Sequence, residues 1–334
     1  MPDEGSKDVL YMEDHASPDV NQAINQNQQA QDESNLILPD KGLSVLIGKN
    51  VAALKSSLGE PIRIDPTSFG YDWWIYHKEK QYLQVGVEND TIVTLYAIGE
   101  KVEIPPFRIG QSVEEIFSKV SINPDINFEY EGTSYRFEMS EEDINTRPIV
   151  KMGNIYVQLN IDKFTGLLSS IRYFDGKSLV IQRPYELVYR GRLLETTVNE
   201  EDWEKIEAAS RRQIFELTNI MRAHFGLNIL KWDEQTAEVA YLHSKDMSET
   251  NTFSHTSEQF GELSDRLKTG NIQFELAGEN IAANYLDAPS VMQGWLNSIG
   301  HRKSLLNEKF THSGVGVYKK YFTQNFIKKQ GIEE

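Results

Sequence analysis

The sequence predicts an α+β protein built from two folded units. Its 334 residues exceed the usual size of one domain and suit two. In the first half, a pattern of a glycine, a short amphipathic helix and alternating strands occurs twice. In the second half, apolar residues recur every three or four positions, a spacing typical of helices packed on a core. Helices combined with antiparallel strands favour the α+β class.

The composition excludes several classes of protein. Acidic residues outnumber basic ones by 50 to 34, and the net charge of −16 repels phosphate backbones, so no nucleic-acid partner is expected. Cysteine is absent, which removes thiol catalysis, thiolate metal sites and disulfides. No apolar run is long enough to cross a bilayer. Acidic residues follow Met1 where a signal peptide would be basic. A cytoplasmic protein and an exported one lacking its anchor both stay open.

Residues 1–38 are predicted to form a disordered linker or stalk. They are rich in acidic and amide side chains, and Lys7 is the only Lys or Arg among them. Such a segment buries too little apolar area to offset the entropy lost on ordering. An ordinary unstructured terminus fits the same residues.

Residues 39–186 are predicted to form a domain of two similar repeats. The segment Ile47–Leu54 is echoed by Ile109–Ile116. In each, a glycine precedes a short amphipathic helix, and Asn50 and Ser112 occupy matching N-cap positions. Each helix is followed by strands, so the domain is expected to be an α+β module.

The strands of the two repeats also correspond. Tyr82–Val87 and Tyr156–Ile161 alternate between apolar and polar residues, and each ends in turn-forming residues after which a strand returns. An aromatic cluster near the first strand is expected to be core, with docking of a protein or peptide as the alternative. Its members are Tyr71, Trp73, Trp74, Tyr76 and His77.

Residues 187–208 are predicted to be a linker, partly helical near its end, and residues 209–330 a second domain. Helical spacing from Ile214 to Met221 opens that domain, and Gly226 is placed to end the helix.

A second helix is predicted from Asp233, which is a good N-cap, to about Glu249. His243 shares one stripe of this helix with Ala240 and Met247. A histidine so placed is expected to be a hydrogen-bonded core residue rather than a ligand.

Three short motifs of the second domain carry the candidate site residues. They are His255 in Phe-Ser-His, Glu279 in Gly-Glu-Asn and His301 in Gly-His-Arg. None belongs to a zinc-protease helix, a nucleophile elbow, a phosphate-binding loop or a cysteine pair. They lie too far apart to form one local metal loop. Only folding can gather them, and we predict that it does so around one solvent-accessible pocket.

The order of these motifs resembles that of the CAP superfamily, named for cysteine-rich secretory, antigen 5 and pathogenesis-related proteins. The resemblance is to the bacterial branch and covers about residues 210–328. The matching segments are Asn219–Arg222, Leu230–Asp233, Ala240–Met247, Phe253–His255, Ala277–Ala282, Trp295–Ser298, Gly300–Arg302, Gly314–Val317 and Tyr321–Phe326. The resemblance implies an α-β-α sandwich with a groove over one face, and it implies export. The repeats resemble, more weakly, the N-terminal domain that accompanies CAP domains in some Gram-positive bacteria.

The resemblance also implies roles for single residues. Eukaryotic members build the groove around two histidines and two glutamates that sometimes hold a divalent metal. Carried over by motif, the first histidine falls on His255 and the first glutamate on Glu279. The other two positions fall on Ser298 and Tyr321, so half of that set is absent. His301 lies one helical turn beyond Ser298 and is expected to enter the same groove.

Three roles stay open for the trio of His255, Glu279 and His301. Two imidazoles and a carboxylate can hold zinc with an open position for water, and His255 and His301 are then the predicted histidine ligands. Without metal, a His–Glu pair can act as an acid–base couple. A structural polar network is the third role. No nucleophile is indicated, because adjacent residues such as Ser254 and His255 point apart.

We therefore expect an exported, envelope-associated protein that binds a small molecule, lipid, peptide or cell-wall fragment in a groove lined by these three residues. A hydrolase using the same groove, with or without zinc, is the alternative from another class. A third hypothesis makes the N-terminal domain a module that docks an envelope protein beside a structural second domain.

Overall fold

The computed structural model describes residues 8–10, 36–78 and 80–329. Contacts divide the chain into two compact units, residues 16–202 and residues 203–334 with 1–15. The predicted disordered segment lies outside the described residues except at 8–10 and 36–38. Strand β1 (Asp8–Leu10) forms there, where no regular structure is predicted, because the backbone pairs with an edge strand of the second unit.

The first unit is built on a seven-stranded antiparallel sheet. In chain order, its helices and strands are α1 (Val51–Leu58), β2 (Arg63–Pro66), β3 (Asp72–Lys78), β4 (Gln81–Glu88), β5 (Thr91–Gly99), α2 (Val113–Phe117), β6 (Asp125–Tyr130), β7 (Thr133–Glu138), α3 (Glu141–Thr146), β8 (Ile149–Met152), β9 (Ile155–Asp162), β10 (Leu167–Phe174), α4 (Gly176–Gln182) and β11 (Glu186–Arg190). The strand order is β2-β3-β4-β5-β10-β9-β8, and a second sheet has the order β11-β7-β6.

The two repeats have the predicted helices with the predicted caps. The side chains of Asn50 and Ser112 accept backbone hydrogen bonds at the starts of α1 and α2. The glycine before each helix also makes the same kind of backbone hydrogen bond in both repeats. The N–H of Gly48 donates to the carbonyl of Ile92, and that of Gly110 donates to the carbonyl of Leu168. The last strands of the repeats, β5 and β10, pair at the centre of the large sheet. The hairpin β6–β7 and helix α3 are additions to the second repeat.

Most of the aromatic cluster near β3 belongs to the core, as expected. The side chains of Tyr71, Trp73 and Tyr76 are buried, whereas Trp74 is half-buried. The rings of Tyr71 and Trp73 meet edge to face at 5.0 Å. The surface that they would offer to a partner is therefore mostly inside the unit.

The second unit surrounds a five-stranded sheet. Its remaining elements are α5 (Glu200–His224), β12 (Lys231–Trp232), α6 (Glu234–Thr250), α7 (Leu263–Thr269), β13 (Phe274–Ala283), α8 (Ala288–Leu296), α9 (Ile299–Leu305), β14 (His312–Tyr318) and β15 (Tyr321–Lys329). The strand order is β1-β13-β15-β14-β12. Within the predicted linker 187–208, β11 ends at Arg190 and α5 begins at Glu200, so that 191–199 connect a strand to a long helix.

Helices cover both faces of this sheet. On β15, the hydroxyl of Thr323 accepts a hydrogen bond from Ser244 of α6, whereas the amide of Gln324 donates to Thr218 of α5. Because consecutive residues of a strand point to opposite faces, α6 and α5 lie in different layers. The unit is an α-β-α sandwich, as the family resemblance implies.

Two glycines of β14 allow α6 to lie directly on the sheet. A Cβ atom at Gly314 would lie 2.1 Å from the backbone nitrogen of Ala237, and one at Gly316 would lie 1.9 Å from that of Tyr241. The hydroxyl of Ser244 then donates to the carbonyl of Gly316. This close approach fixes the distance between α6 and the sheet, and with it the position of His243.

The described part of the chain contains no helix that is both long enough and apolar enough to cross a membrane.

Candidate functional site

Glu279 lies at the centre of a polar network in the second unit. It is in the middle of β13 and is 3% exposed. Its Oε1 atom accepts a hydrogen bond from Nδ1 of His255 at 2.9 Å, and its Oε2 atom accepts one from the guanidinium of Arg266 at 2.5 Å. Nε2 of His243 lies 3.9 Å from Oε1. Two of the three predicted site residues, His255 and Glu279, are thus brought together.

Arg266 is a member of this network that sequence reasoning missed. It lies on α7, where Leu263 and Leu267 share its buried face. Its Nη1 atom also donates to the carbonyls of His255 and Gly261, at 2.7 and 3.1 Å, so it fixes the loop that carries the histidine. The sequence does contain a signal for the role of Arg266. An arginine on the apolar face of a helix indicates a buried carboxylate partner, because an unpaired buried charge is costly.

The network keeps the Glu279 carboxyl ionised. Burial alone acts to raise its pKa, but the hydrogen bond from His255 and the positive charge of Arg266 outweigh burial, and the pKa is lowered from its ordinary value of 4.5. A carboxylate with a lowered pKa holds and orients its partners at neutral pH. It does not release or take up a proton there, so its role in this network is to hold its partners in place.

His243 is a buried member of the network, as its position on the apolar stripe of α6 predicts. Its side chain is inaccessible to solvent, and Nε2 lies 3.1 Å from the main-chain oxygen of Ser254. Burial lowers its pKa from the ordinary value of 6.5, although the nearby Glu279 acts in the opposite direction. The ring is therefore neutral at pH 7, and its role is to hold the 254–255 loop.

His301 approaches β13 from the other helical layer. The side-chain amide of Asn280 donates to the main-chain oxygen of His301 in α9, at 3.1 Å. Since Glu279 and Asn280 are consecutive on the strand, their side chains point to opposite faces of the sheet. His301 thus belongs to the layer opposite α6 and α7, and it lines a cavity that neighbours the Glu279 network.

The cavity has a volume of about 490 Å³ and lies at the end of β13, between the two layers. Its wall is mainly aromatic and apolar and also includes two side-chain amides and one imidazole. The lining residues are Asn251, Phe253, Ile281, Ala282, Ala283, Asn284, Tyr285, Trp295, His301 and Tyr321. His255 and Glu279 are not among them, but each lies two residues from one that is, Phe253 and Ile281 respectively.

Comparisons with known proteins agree with this architecture. Residues 47–185 match the CAP-associated N-terminal family, and residues 215–327 match the cysteine-rich secretory protein family. The uncharacterized membrane protein YlbC of Bacillus subtilis strain 168 is 53% identical over 305 residues, which cover 91% of this chain and 88% of that protein. The chain belongs to the CAP superfamily.

Two solved structures share the architecture of this CAP protein. One is an extracellular protein containing an SCP domain from Bacillus anthracis strain Ames. It is 44% identical, with a TM-score of 0.83, over 89% of this chain and 99% of that one. The other is a cysteine-rich secretory protein from Staphylococcus aureus Mu50. It is 28% identical, with a TM-score of 0.77, over 89% and 98% of the two chains.

The residues of this CAP domain do not fit a metal centre. Both oxygens of Glu279 already accept hydrogen bonds, one of them from a cation, and His301 lies in the opposite layer. Among the described residues, no group of three or more His, Cys, Asp or Glu side chains is arranged to hold a metal ion. Ser298 caps α9 and Tyr321 lines the cavity, in place of the missing glutamate and histidine. The zinc site predicted at His255 and His301 therefore has no support in this geometry.

Proposed function

We propose that this CAP protein binds a small uncharged or amphipathic molecule, of the lipid, peptide or cell-wall-fragment kind, in the cavity at the end of β13. The observation that carries the proposal is the cavity itself. Its volume of about 490 Å³ lies within the range of about 300–1,000 Å³ that is usual for small-ligand sites. Its rings offer apolar contact area, and the few amide and imidazole groups offer hydrogen bonds that fix an orientation.

The Glu279 network supports this function by holding the wall of the cavity. Arg266 and Glu279 fix the loop that carries His255, and Phe253 of the same loop lines the cavity. Because the carboxylate is neutralised by Arg266, it presents no free negative charge to a ligand. The network thus positions the wall instead of contacting the ligand directly.

Filling the cavity tests the proposal. Ala283→Phe would occupy its space from the β13 side, so we expect binding of neutral lipids, peptides and glycan fragments, measured by titration calorimetry, to weaken at least about tenfold. Ala53→Phe, at an exposed position of α1, is the matched control and should leave binding unchanged. Equal binding by both variants would place the ligand outside the cavity.

A hydrolase is the second candidate, and the His255–Glu279 hydrogen bond favours it. Glu279 fixes Nδ1 of a ring that is 30% exposed, an arrangement that suits a general base. Peptide, ester and glycan substrates should then be turned over by the protein, and Glu279→Gln should lower kcat at least about a hundredfold. A trace activity that is unchanged in Glu279→Gln would come from a contaminant.

We further propose that the protein is exported and acts at the cell envelope. The support is the likeness to an extracellular protein of Bacillus anthracis and to a protein of Bacillus subtilis named as a membrane protein. Protease added to intact cells should degrade the protein. Protection until the cells are lysed would contradict export.

The first unit offers a separate candidate role in docking an envelope protein. Ile62, which precedes the edge strand β2, and Ile64, which lies within it, are 57% and 51% exposed. The outer backbone groups of β2 can pair with an added strand. Ile64→Lys in the full chain should abolish cross-linking to an envelope protein identified by mass spectrometry. Cross-linking at an unchanged level would remove β2 as the docking edge.

A further inference from the structure

The wall chemistry of the cavity narrows the class of ligand. Four of its lining residues are Phe253, Tyr285, Trp295 and Tyr321, and two more, Asn251 and Asn284, carry amides. None of the ten lining residues is Asp, Glu, Lys or Arg. A site without a permanently charged side chain offers no permanent ion pair to an anionic or cationic ligand, and the net charge of −16 repels polyanions further.

The amides separate two kinds of neutral ligand. An acyl chain has no hydrogen-bonding groups along its length, so it gains no hydrogen bond from the exposed amides of Asn251 and Asn284. A saccharide has one apolar C–H face, which packs on an aromatic ring, and hydroxyl groups around its rim. Side-chain amides both donate and accept, and therefore match those hydroxyl groups. A wall that contains both aromatic rings and amides thus favours a saccharide over an acyl chain.

The position of one aromatic ring of the wall, that of Tyr285, depends on a glycine in α8. A Cβ atom at Gly294 of α8 would lie 2.3 Å from the hydroxyl oxygen of Tyr285 and 2.7 Å from two carbons of its ring. Glycine in a helix interior is less favourable than alanine, so its presence in α8 is explained by the space that the ring needs. Tyr285 is 36% exposed and lies against the helix backbone, with the neighbouring Trp295 held by a hydrogen bond from its Nε1 to the carbonyl of Ile281.

We propose that the cavity binds an uncharged saccharide ring stacked on the aromatic ring of Tyr285. Gly294 is the positioning residue, because the absence of a side chain there leaves the space that this aromatic ring occupies. The inference rests on the proposed binding function and specifies its ligand. The ring of Tyr285 provides the stacking surface at the rim, where it is partly exposed. The side-chain amides of Asn251 and Asn284 are hydrogen-bonding groups of the wall that match the hydroxyls of the sugar.

The experiment measures binding of three neutral probes to the full chain by NMR chemical-shift changes: triacetylchitotriose, monolaurin and an uncharged hexapeptide. We expect saturable binding of triacetylchitotriose alone. Tyr285→Ala should raise its Kd at least about tenfold. Tyr285→Phe, which keeps the ring, should change Kd less than about threefold. Gly294→Ala, which displaces the ring without removing it, should raise Kd at least about fivefold.

Tyr189→Ala removes an exposed tyrosine from β11 and serves as the matched control, with binding expected to be unchanged. Binding of monolaurin or the hexapeptide in the cavity, without triacetylchitotriose, would overturn the saccharide inference and leave the proposed binding function standing. Binding of none of the three would overturn both. If Gly294→Ala does not fold, the two Tyr285 variants test the proposal by themselves. An equal rise of Kd in Tyr285→Ala and Tyr285→Phe would rule out stacking.

Discussion

At the scale of single residues, the pair of Arg266 and Glu279 is a costly interaction to break. Both side chains are at most 4% exposed, so removing one leaves the other charge buried. We expect Arg266→Met to lower the free energy of unfolding by about 3–5 kcal/mol in urea titrations. Arg136→Met breaks a half-exposed pair with Glu138 and should cost about 0–1 kcal/mol. Equal losses would show that the buried pair is solvated.

His243 makes stability depend on pH at the same scale. Because burial lowers its pKa below 6.5, the unfolded chain takes up a proton that the folded chain does not as pH falls through that value. The free energy of unfolding should therefore decrease as pH falls below about 6.5, and His243→Gln should flatten this slope in urea titrations at a series of pH values. His224→Gln removes an exposed histidine of the same unit and is the control. A slope unchanged in His243→Gln would contradict the assignment.

Glu279 makes the stability of the fold depend on pH in a second, lower pH range. Its lowered pKa means that its contribution to stability is complete above about 4.5 and is lost as pH falls through the folded-state value. Acid should thus weaken the second unit in two stages, first by charging His243 and then by protonating Glu279.

At the scale of elements, the contact between α6 and β14 determines where the network lies. Gly316→Ala would force a Cβ atom into the backbone of α6, and such overpacking costs about 1–3 kcal/mol or more. We expect a loss of this size in urea titrations, with changed NMR shifts for His243. Gly176→Ala in α4, where the new Cβ would make an ordinary contact of 3.4 Å with Phe128, should be tolerated. Unchanged stability in Gly316→Ala would mean that α6 is free to move away.

At the scale of the whole molecule, the excess of 50 acidic over 34 basic residues opposes compactness. Raising ionic strength from about 0.01 to about 0.15 M shortens the Debye length from about 30 to about 8 Å and weakens this repulsion. Tm should therefore rise over that range, as measured by calorimetry. A falling Tm would show that attractive ion pairs dominate the balance.

Much of the fold could be read from local patterns. The N-caps Asn50, Ser112 and Asp233 lie where polar residues precede apolar periodicity, because capping needs only neighbouring residues. The gathering of His255 and Glu279 in one place followed from the family resemblance. Arg266 escaped prediction, since its partner is remote in the chain, although its place on the apolar face of α7 was visible.

The sequence by itself determined the two α+β units, the paired repeats, the N-caps of three helices and the family, since these depend on short-range spacing and on ordered motifs. Only the tertiary structure decided that His301 lies in the layer opposite Glu279, that both carboxylate oxygens are already engaged, and that an aromatic cavity lies beside them. The physical reason is that strand alternation and helix packing fix which side chains meet, and those contacts join residues far apart in the chain.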